Sequence, residues 1–534
     1  MRLFSRRLTR DIGPEFIDVG DGRLRLALEK SIGRSLENAW NRRSGASGSG
    51  VREFFLRWPD LQTRYPLALL PVGQKRWAKW LLNQGRARHN LADEEIIAFL
   101  YETAADIARG IAETYLITAE WQKRFSQIWN AAEQKALLEW LRESFPAWAP
   151  LRKCKALPLL AEFRAPARSY PAANLLAHFC YPSGLQQGAL ATRAALEAAG
   201  LSLSCRDVPV GMETKLTSRL PWLGLELYPI TLVIMSPVPY SETCYERAGL
   251  HRRPGVCRIA YWSWELDAIP PEWPSFNGLF DEIWTPTTFV AEAMRTRFSL
   301  PVFAMPHALV QISPQKISRS KFGIAEDHFV FLFMFDMCSE MNRKNPDGLI
   351  RAFRRAFQPD EKATLLIKTV RREFDRAAFA QLEALGAEAN VRIIDELSSH
   401  ERAAGFIAMC DCYVSLHRSE GFGLTMAEAM SLGKPVVTSG YSGNRDFMDP
   451  ENSWLVDYRL VPVAPGGSIY KAGQWAEPSE EHAAECMREV FDDRAKAETR
   501  AQRGAKDVAE KLSVQAVGAQ MKARLDVIAR ERGI

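Results

Sequence analysis

Residues 411–447 constrain the fold of this chain more than any other stretch. The apolar run 412–416 predicts a buried strand, and a polar loop that contains glycines follows it. Residues 425–432 are rich in Ala and Met and predict a helix, with Gly433 at its C′ position. Residues 435–438 predict the next strand. Strand, glycine loop, helix and strand form one βαβ unit, and open α/β sheets bind their ligands at loops of this kind.

Two glutamates, Glu420 in the loop and Glu428 on the predicted helix, mark this unit. Carboxylates accept hydrogen bonds from sugar hydroxyls, and glycines let the backbone approach a ligand closely. The pattern resembles that of the retaining GT-B glycosyltransferases of family four. The resemblance implies that Glu420 contacts the donor sugar and Glu428 the nucleotide ribose, while loop amides hold the diphosphate. It implies donor binding by the residues between and after them, Gly421, Phe422, Gly423, Leu424 and Thr425.

A capping box is the structural alternative for Glu428. Thr425 and Glu428 have the spacing at which an N-cap side chain and an N3 side chain close the first turn of a helix. A capping box alone does not account for Glu420, the two glycines of the loop and the following strand together. The sequence therefore favours a ligand site.

The composition is that of an ordinary globular protein. A length of 534 residues suggests about three domains. The net charge of +5 is small for this length and does not indicate a nucleic-acid partner. The nine cysteines show no zinc-type spacing and suit a reducing cytoplasm. No apolar run approaches the ~18 residues that a membrane span needs. The N-terminus also lacks the continuous apolar core and cleavage site of a secretory signal, so together with the cysteine usage the sequence predicts a cytoplasmic protein.

The first fifty residues predict a basic segment and a linker. The linker is the Ser- and Gly-rich run 44–50. Four arginines near the N-terminus could touch the anionic cytoplasmic face of the inner membrane, and a solvated terminus is the alternative. These arginines are Arg2, Arg6, Arg7 and Arg10.

Residues 51–160 predict an all-α accessory domain. Apolar residues recur at helical spacing in four segments, 74–83, 93–107, 118–131 and 132–144. No catalytic motif is present in this region. Its role stays open between packing on the enzyme, holding a partner and binding the acceptor.

Residues 161–308 predict a first Rossmann-like domain. The resemblance implies that this is the acceptor-side half, and that its first loop, which contains Gly184, faces the cleft. Gly184 and Gly188 are too sparse for a dinucleotide fingerprint, so a dehydrogenase is set aside. The predicted strands are 174–180, 201–205, 231–235, 257–262, 282–285 and 302–305.

An aromatic stretch, residues 261–267, follows one of these strands. Loops after strands carry ligand contacts, so Glu265 could bind an acceptor hydroxyl while Trp264 stacks on a sugar face. Aromatic packing between domains is an equal alternative. His307 falls at the predicted hinge between the domains, and a lone histidine there is assigned a structural role.

Residues 309–534 predict the second Rossmann-like domain. Its first strand, 329–335, is an unbroken apolar run, which is typical of a strand buried on both faces. The resemblance places a basic pair after this strand to hold the donor diphosphate, and Arg343 and Lys344 match by position. Phe335-Asp336 replaces the usual Gly-Arg, which leaves open which cation makes the contact. Further donor-binding candidates are Lys368, Gly443 and Asn444.

The sequence thus predicts an α/β protein of GT-B architecture, two Rossmann-like domains facing across a cleft, with an N-terminal all-α domain. The resemblance implies metal-independent transfer of a sugar to a hydroxyl of a glycan or lipid-linked acceptor, with retention, in surface-polysaccharide or O-antigen assembly. The catalytic candidates are Glu420, Arg343 and Lys344. The donor is a substrate rather than a cofactor, with GDP-mannose ahead of a UDP-sugar. A nucleotide-sugar epimerase or hydrolase and a non-catalytic GT-B binding module are the alternatives.

Overall fold

The computed structural model describes residues 48–146, 148–163, 170–210, 218–237, 243–387, 390–463 and 469–534. The four N-terminal arginines and most of the Ser/Gly-rich linker lie outside these ranges, so the predictions made for them are not addressed below.

The first described region is helical, as predicted. Its helices are α1 (Ser49–Arg57), α2 (Pro59–Arg64), α3 (Gln74–Trp80), α4 (Arg86–His89), α5 (Asp93–Ala105), α6 (Ile107–Ile117), α7 (Ala119–Arg124), α8 (Ala131–Ser144) and α9 (Pro158–Ala161). A π-helical turn, Leu81–Gly85, joins α3 to α4.

Two helix boundaries in this region differ from the prediction because capping residues interrupt the apolar pattern. Asp106 lies between α5 and α6, and its side chain accepts a hydrogen bond from the Arg109 amide at 3.0 Å, which caps the start of the unpredicted helix α6. The predicted helix 118–131 ends at Arg124. The next helix begins after Asn130, whose side chain accepts from the Ala132 amide at 3.0 Å.

The helical region packs on the first Rossmann-like domain and shares one apolar core with a face of its sheet. Buried charges reinforce the contact. Arg219, which is 1% exposed, pairs with Asp207 at 3.1 Å and donates to the Leu56 carbonyl of α1. Glu53 accepts a hydrogen bond from the Arg219 amide at 2.7 Å. Of the three roles left open by the sequence, packing on the rest of the protein is the one that the structure displays.

The first Rossmann-like domain has a parallel six-stranded sheet of order β2-β1-β3-β4-β5-β6. The six predicted strands are all present, and no strand end is shifted by more than three residues. Its elements are β1 (Ala172–Ala177), α10 (Gly184–Ala198), β2 (Ser202–Asp207), β3 (Ile230–Ile234), α11 (Cys244–Ala248), β4 (Cys257–Tyr261), β5 (Glu282–Thr285), α12 (Thr288–Arg295) and β6 (Val302–Ala304).

The second Rossmann-like domain has another parallel six-stranded sheet, of order β12-β11-β10-β7-β8-β9. Its strands are β7 (Phe329–Met334), β8 (Ala363–Thr369), β9 (Val391–Asp395), β10 (Cys412–Ser415), β11 (Val436–Ser439) and β12 (Trp454–Val456), and a hairpin of β13 (Tyr458–Pro462) and β14 (Gln474–Pro478) follows. Its helices are α13 (Met341–Lys344), α14 (Pro346–Ala356), α15 (Arg376–Leu385), α16 (His400–Met409), α17 (Leu424–Ser431), α18 (Glu480–Asp492), α19 (Arg494–Leu512) and α20 (Val514–Arg532).

The last helix, α20, returns to the first domain. It packs along α10 so closely that a Cβ on Gly518 would lie 2.1 Å from the Ala195 carbonyl oxygen. Arg524 of α20 also pairs with the buried carboxylate of Glu282 on β5. The two domains are therefore joined by a packed helix pair as well as by their connecting chain.

We expect Gly518→Ala to destabilise the protein by about 1–3 kcal/mol. The added methyl group overpacks the α10–α20 contact, and this cost exceeds the stability gained from the higher helix propensity of alanine. Thermal unfolding measures the effect. Gly278→Ala is the matched control, since a Cβ there meets nothing within 4 Å. Equal unfolding midpoints for the two variants would contradict this packing.

Candidate functional site

The candidate site lies where the strand order of the second sheet reverses. β7 and β10 are neighbours, and the chain runs outward from them in opposite directions, through β8 and β9 on one side and β11 and β12 on the other. Loops at the carboxyl ends of two such strands diverge and leave a crevice, which is where open α/β sheets bind ligands. The loop after β7 leads to α13, and the loop after β10 leads to α17.

These two loops bring the three predicted catalytic residues together. The Glu420 carboxylate lies in hydrogen-bonding contact with the Lys344 ammonium and 3.2 Å from Nη1 of Arg343. The same nitrogen of Arg343 donates to the Ser419 carbonyl at 2.9 Å. The sequence separates the cations from the glutamate by more than seventy residues, and the adjacency of β7 and β10 brings them into contact.

The charge of Glu420 is set by these neighbours. Its side chain is only 14% exposed. Burial alone would raise the pKa of Glu420, but Lys344 and Arg343 outweigh burial and lower it from 4.5 to about 2. Glu420 is therefore ionised near neutral pH. Separately, Nε of the buried Arg343 has no hydrogen-bond partner among the described residues.

Close backbone approach explains two of the predicted glycines. A Cβ on Gly421 would lie 2.4 Å from the Trp264 carbonyl oxygen of the first domain. A Cβ on Gly443 would lie 2.3 Å from the Gly421 carbonyl oxygen. Ser442, at φ 73°, accepts a hydrogen bond from the Glu420 amide at 2.8 Å. The glycine loop is thus held between the two domains, and the predicted Asn444 is buried in the same turn.

The start of α17 rules out the capping box. Gly423, at φ 95°, is the N-cap residue and supplies no side-chain cap, and Thr425 lies inside the helix, where it accepts from the Tyr413 hydroxyl at 2.8 Å. Glu428 instead pairs with Nε2 of His400 on α16 at 2.8 Å. No described residue accepts a hydrogen bond from the amides of Leu424 and Thr425, so the helix start offers free donors beside Phe422.

Lys368 lies at the end of β8, in register with Met334 of β7. Its ammonium is buried near Glu396, Asp395 and Asp336, and burial lowers the pKa of Lys368 to about 8. Among the described residues it forms no ion pair within 4 Å. It therefore adds a cation near the site without joining the Glu420 cluster.

The three predicted acceptor-side residues lie in different surroundings. The Trp264 ring is buried, packs against Trp273 at 4.8 Å and donates to the Ala268 carbonyl, so the packing alternative describes this ring. Glu265 lies next to the site, because its carbonyl accepts from Ser419. Gly184 begins α10 and has open space around the position of a Cβ.

Tyr470 is a site residue that the sequence analysis missed. It follows the β13 strand, its ring lies 5.9 Å from the Arg343 guanidinium and 5.3 Å from Trp264, and its hydroxyl donates to Glu265 at 2.9 Å. An aromatic residue in a polar, glycine-bearing loop was the available signal. Only the folded structure shows that Tyr470 contacts both domains.

Arg371 is a second missed residue, at φ 64° after β8. Its guanidinium pairs with Asp336, donates to the Pro182 carbonyl and lies 5.0 Å from the Tyr181 ring. It therefore bridges the second domain to the loop before α10. A positive φ at an arginine leaves no recognisable trace in a single sequence.

Within the described ranges, no group of three or more His, Cys, Asp or Glu side chains is arranged to hold a metal ion. No helix in the same ranges combines the length and hydropathy that crossing a membrane requires.

Residues 314–462 match the family model described as "Glycosyl transferases group 1". The matched segment lies within the second domain. The matched segment contains every predicted donor-side residue, including Arg343, Glu420 and Glu428, whereas Tyr470 lies beyond it. No curated protein sequence matches the chain significantly.

Solved structures are similar to about two thirds of this chain. Sucrose-phosphate synthase from Thermosynechococcus elongatus is 15% identical with a TM-score of 0.50, over 68% of this chain and 100% of that one. HepE from Anabaena, solved with UDP and glucose, is 16% identical with a TM-score of 0.47, over 67% and 100% of the two chains. The predicted GT-B architecture of two Rossmann-like domains is confirmed.

Acid should weaken the protein through Glu420. Because folding lowers the pKa of Glu420 from 4.5 to about 2, its ionised form adds stability above pH 4.5, and that stability disappears as pH falls towards 2. The full effect is about 3 kcal/mol. We expect the wild type to unfold at a higher temperature than Glu420→Gln at pH 6, and the difference to shrink by pH 3.

The matched control is Glu510→Gln, since Glu510 is 65% exposed in a surface pair. Its unfolding midpoint should follow the wild type at both pH values. A difference between the wild type and Glu420→Gln that does not change with pH would show that Glu420 is not held ionised by its neighbours.

Proposed function

We propose that this protein is a glycosyltransferase, which moves a sugar from a nucleotide diphosphate sugar to a hydroxyl of a glycan or lipid-linked acceptor. The observation that carries the proposal is the contact of ionised Glu420 with Arg343 and Lys344 at the switch point of a group 1 domain. A carboxylate beside two cations suits a ligand that has hydroxyls at one end and a diphosphate at the other.

The cations bind the diphosphate. Without ligand, Glu420 balances the charge of Lys344 and Arg343, which burial would otherwise make costly. The diphosphate oxygens of a donor take over this role, together with the free amides of Leu424 and Thr425 and the nearby Lys368. Glu420 then accepts hydrogen bonds from the donor sugar, and Glu428 on α17 from the ribose.

The reaction exchanges one bond at the anomeric carbon. The acceptor oxygen forms a bond to this carbon as the bond to the diphosphate oxygen breaks, and the leaving diphosphate keeps the electron pair. Arg343 and Lys344 stabilise the charge that develops there. In the retaining course that we propose, the acceptor attacks the face that the diphosphate leaves, and a phosphate oxygen takes the acceptor proton. The reaction needs no metal in this scheme.

The finer assignments follow from the resemblance to family four. We place the protein in the cytoplasm, with peripheral contact at the inner membrane face, in the assembly of a surface polysaccharide such as O-antigen. Mannose from GDP-mannose is the first donor to test and UDP-sugars are the second.

Binding of the cognate donor should stabilise the protein. At ~100 times the dissociation constant, a ligand specific for the folded state adds about 2.7 kcal/mol to the unfolding free energy. A thermal-shift panel of GDP, UDP, GDP-mannose and UDP-glucose should therefore single out one nucleotide. Lys344→Gln should lose most of this shift, whereas Lys362→Gln, at an exposed ion pair, should keep it. Absence of a shift with every nucleotide sugar would refute the proposal.

The two glutamates should differ in their effects on catalysis. Glu420→Ala should abolish transfer, because it removes the contact to the donor sugar and leaves two buried cations unbalanced. Glu428→Ala should raise the KM for the donor about tenfold and leave kcat within a few-fold, since it loses a single hydrogen bond to the ribose. Steady-state assays of nucleotide release with acceptor measure both parameters.

Glu481→Ala, at an exposed position on α18, is the control and should match the wild type. Full activity in both Glu420→Ala and Glu428→Ala would contradict the site assignment. Wild-type release of free sugar without any acceptor would favour the hydrolase alternative, and donor binding without turnover would favour a binding module.

A further inference from the structure

His307 lies at the seam between the two domains, just after β6. Its ring is 5.1 Å from the Phe422 ring of the glycine loop, in an edge-to-face arrangement. On the other side it covers Gly188 of α10, where a Cβ would come within 3.2 Å of the imidazole Cε1. The imidazole therefore touches both the donor-side loop and the acceptor-side helix.

The hydrogen bonds around His307 determine which nitrogen carries its proton. The Tyr261 hydroxyl donates its one hydrogen to the Met305 carbonyl at 2.7 Å, and a carbonyl can only accept. The same hydroxyl oxygen lies 3.0 Å from Nδ1 of His307, so Nδ1–H must be the donor of that contact. Nε2 therefore carries a lone pair in the neutral ring.

The ring is neutral near pH 7, because burial lowers the pKa of His307 to about 4. No described residue donates a hydrogen bond to Nε2, and the His307 side chain is half-buried rather than fully enclosed. The lone pair of Nε2 therefore remains open to a donor that enters the cleft.

We propose that Nε2 of His307 accepts a hydrogen bond from a hydroxyl of the sugar being transferred and so helps to select that sugar. This inference rests on the proposed glycosyl transfer. Phosphate oxygens cannot donate a hydrogen bond and are repelled by a lone pair, whereas a sugar hydroxyl can donate. Phe422 lies two residues after Glu420 in the same loop, which places His307 at the sugar end of the donor rather than at its ribose.

The test pairs His307 variants with donor analogues. The analogues lack one sugar hydroxyl each, and the readouts are kcat/KM for transfer and analogue affinity by thermal shift. In wild type, one deoxy donor should lose about tenfold in kcat/KM. His307→Asn, which can keep the bond to the Tyr261 hydroxyl but has no atom at Nε2, should lose the same factor with the full donor. The kcat/KM of His307→Asn should be the same with that one deoxy donor as with the full donor.

Two further variants distinguish a direct hydrogen bond between His307 and the sugar from a purely structural role of His307. His307→Gln, whose amide can reach the Nε2 position, should recover part of the discrimination against the deoxy donor. Tyr261→Phe removes the group that fixes the tautomer without touching Nε2, and should weaken the discrimination while the same hydroxyl stays the sensitive one. Unfolding midpoints near wild type confirm that the variants are folded.

Three results would overturn the inference. One is full activity in His307→Asn. Another is that every deoxy donor lowers kcat/KM by the same factor in His307→Asn as in wild type. The third is coupling to an acceptor hydroxyl instead of a donor hydroxyl. These outcomes leave wild-type transfer intact and so differ from failure of the proposed function, in which wild type neither binds nor transfers any nucleotide sugar.

Discussion

The ion cluster of Glu420 with Arg343 and Lys344 is the interaction on which the rest of the site depends. Its charges are largely buried, and each alone would be costly to remove from water, so none is stable there without the others. The members come from loops after two different strands. They meet only because β7 and β10 are adjacent and parallel, with their carboxyl ends at the same edge of the sheet.

The first domain completes this site from across the cleft. Ser419 donates to the Glu265 carbonyl, Thr287 donates to the Gly421 carbonyl at 2.9 Å, and Tyr470 bonds Glu265 while lying near Arg343. A shift between the domains would therefore disturb the backbone of the glycine loop directly. The α10–α20 contact also joins the C-terminal helix to the first domain.

The glycine loop and its flanking strand and helix were predictable because their signals are local. A strand that is apolar throughout, a helix rich in Ala and Met, and a glycine at C′ each specify the conformation of their own few residues. The missed features depended on partners elsewhere in the chain. Tyr470 matters only through contacts with Arg343 and Glu265, and Arg371 only through contacts with Asp336 and the loop before α10. The capping box matched in spacing but failed because Gly423, rather than Thr425, occupies the N-cap.

The sequence by itself determined the two Rossmann-like domains, the helical character of the N-terminal region and the three charged residues of the site, because hydrophobic periodicity and residue chemistry are written along the chain. The tertiary structure alone decided that the helices share a core with the first sheet, that Trp264 is packed rather than open, and that His307 lies between Phe422 and α10. Those outcomes depend on distances between residues far apart in sequence, which only the packing of the sheets and helices sets.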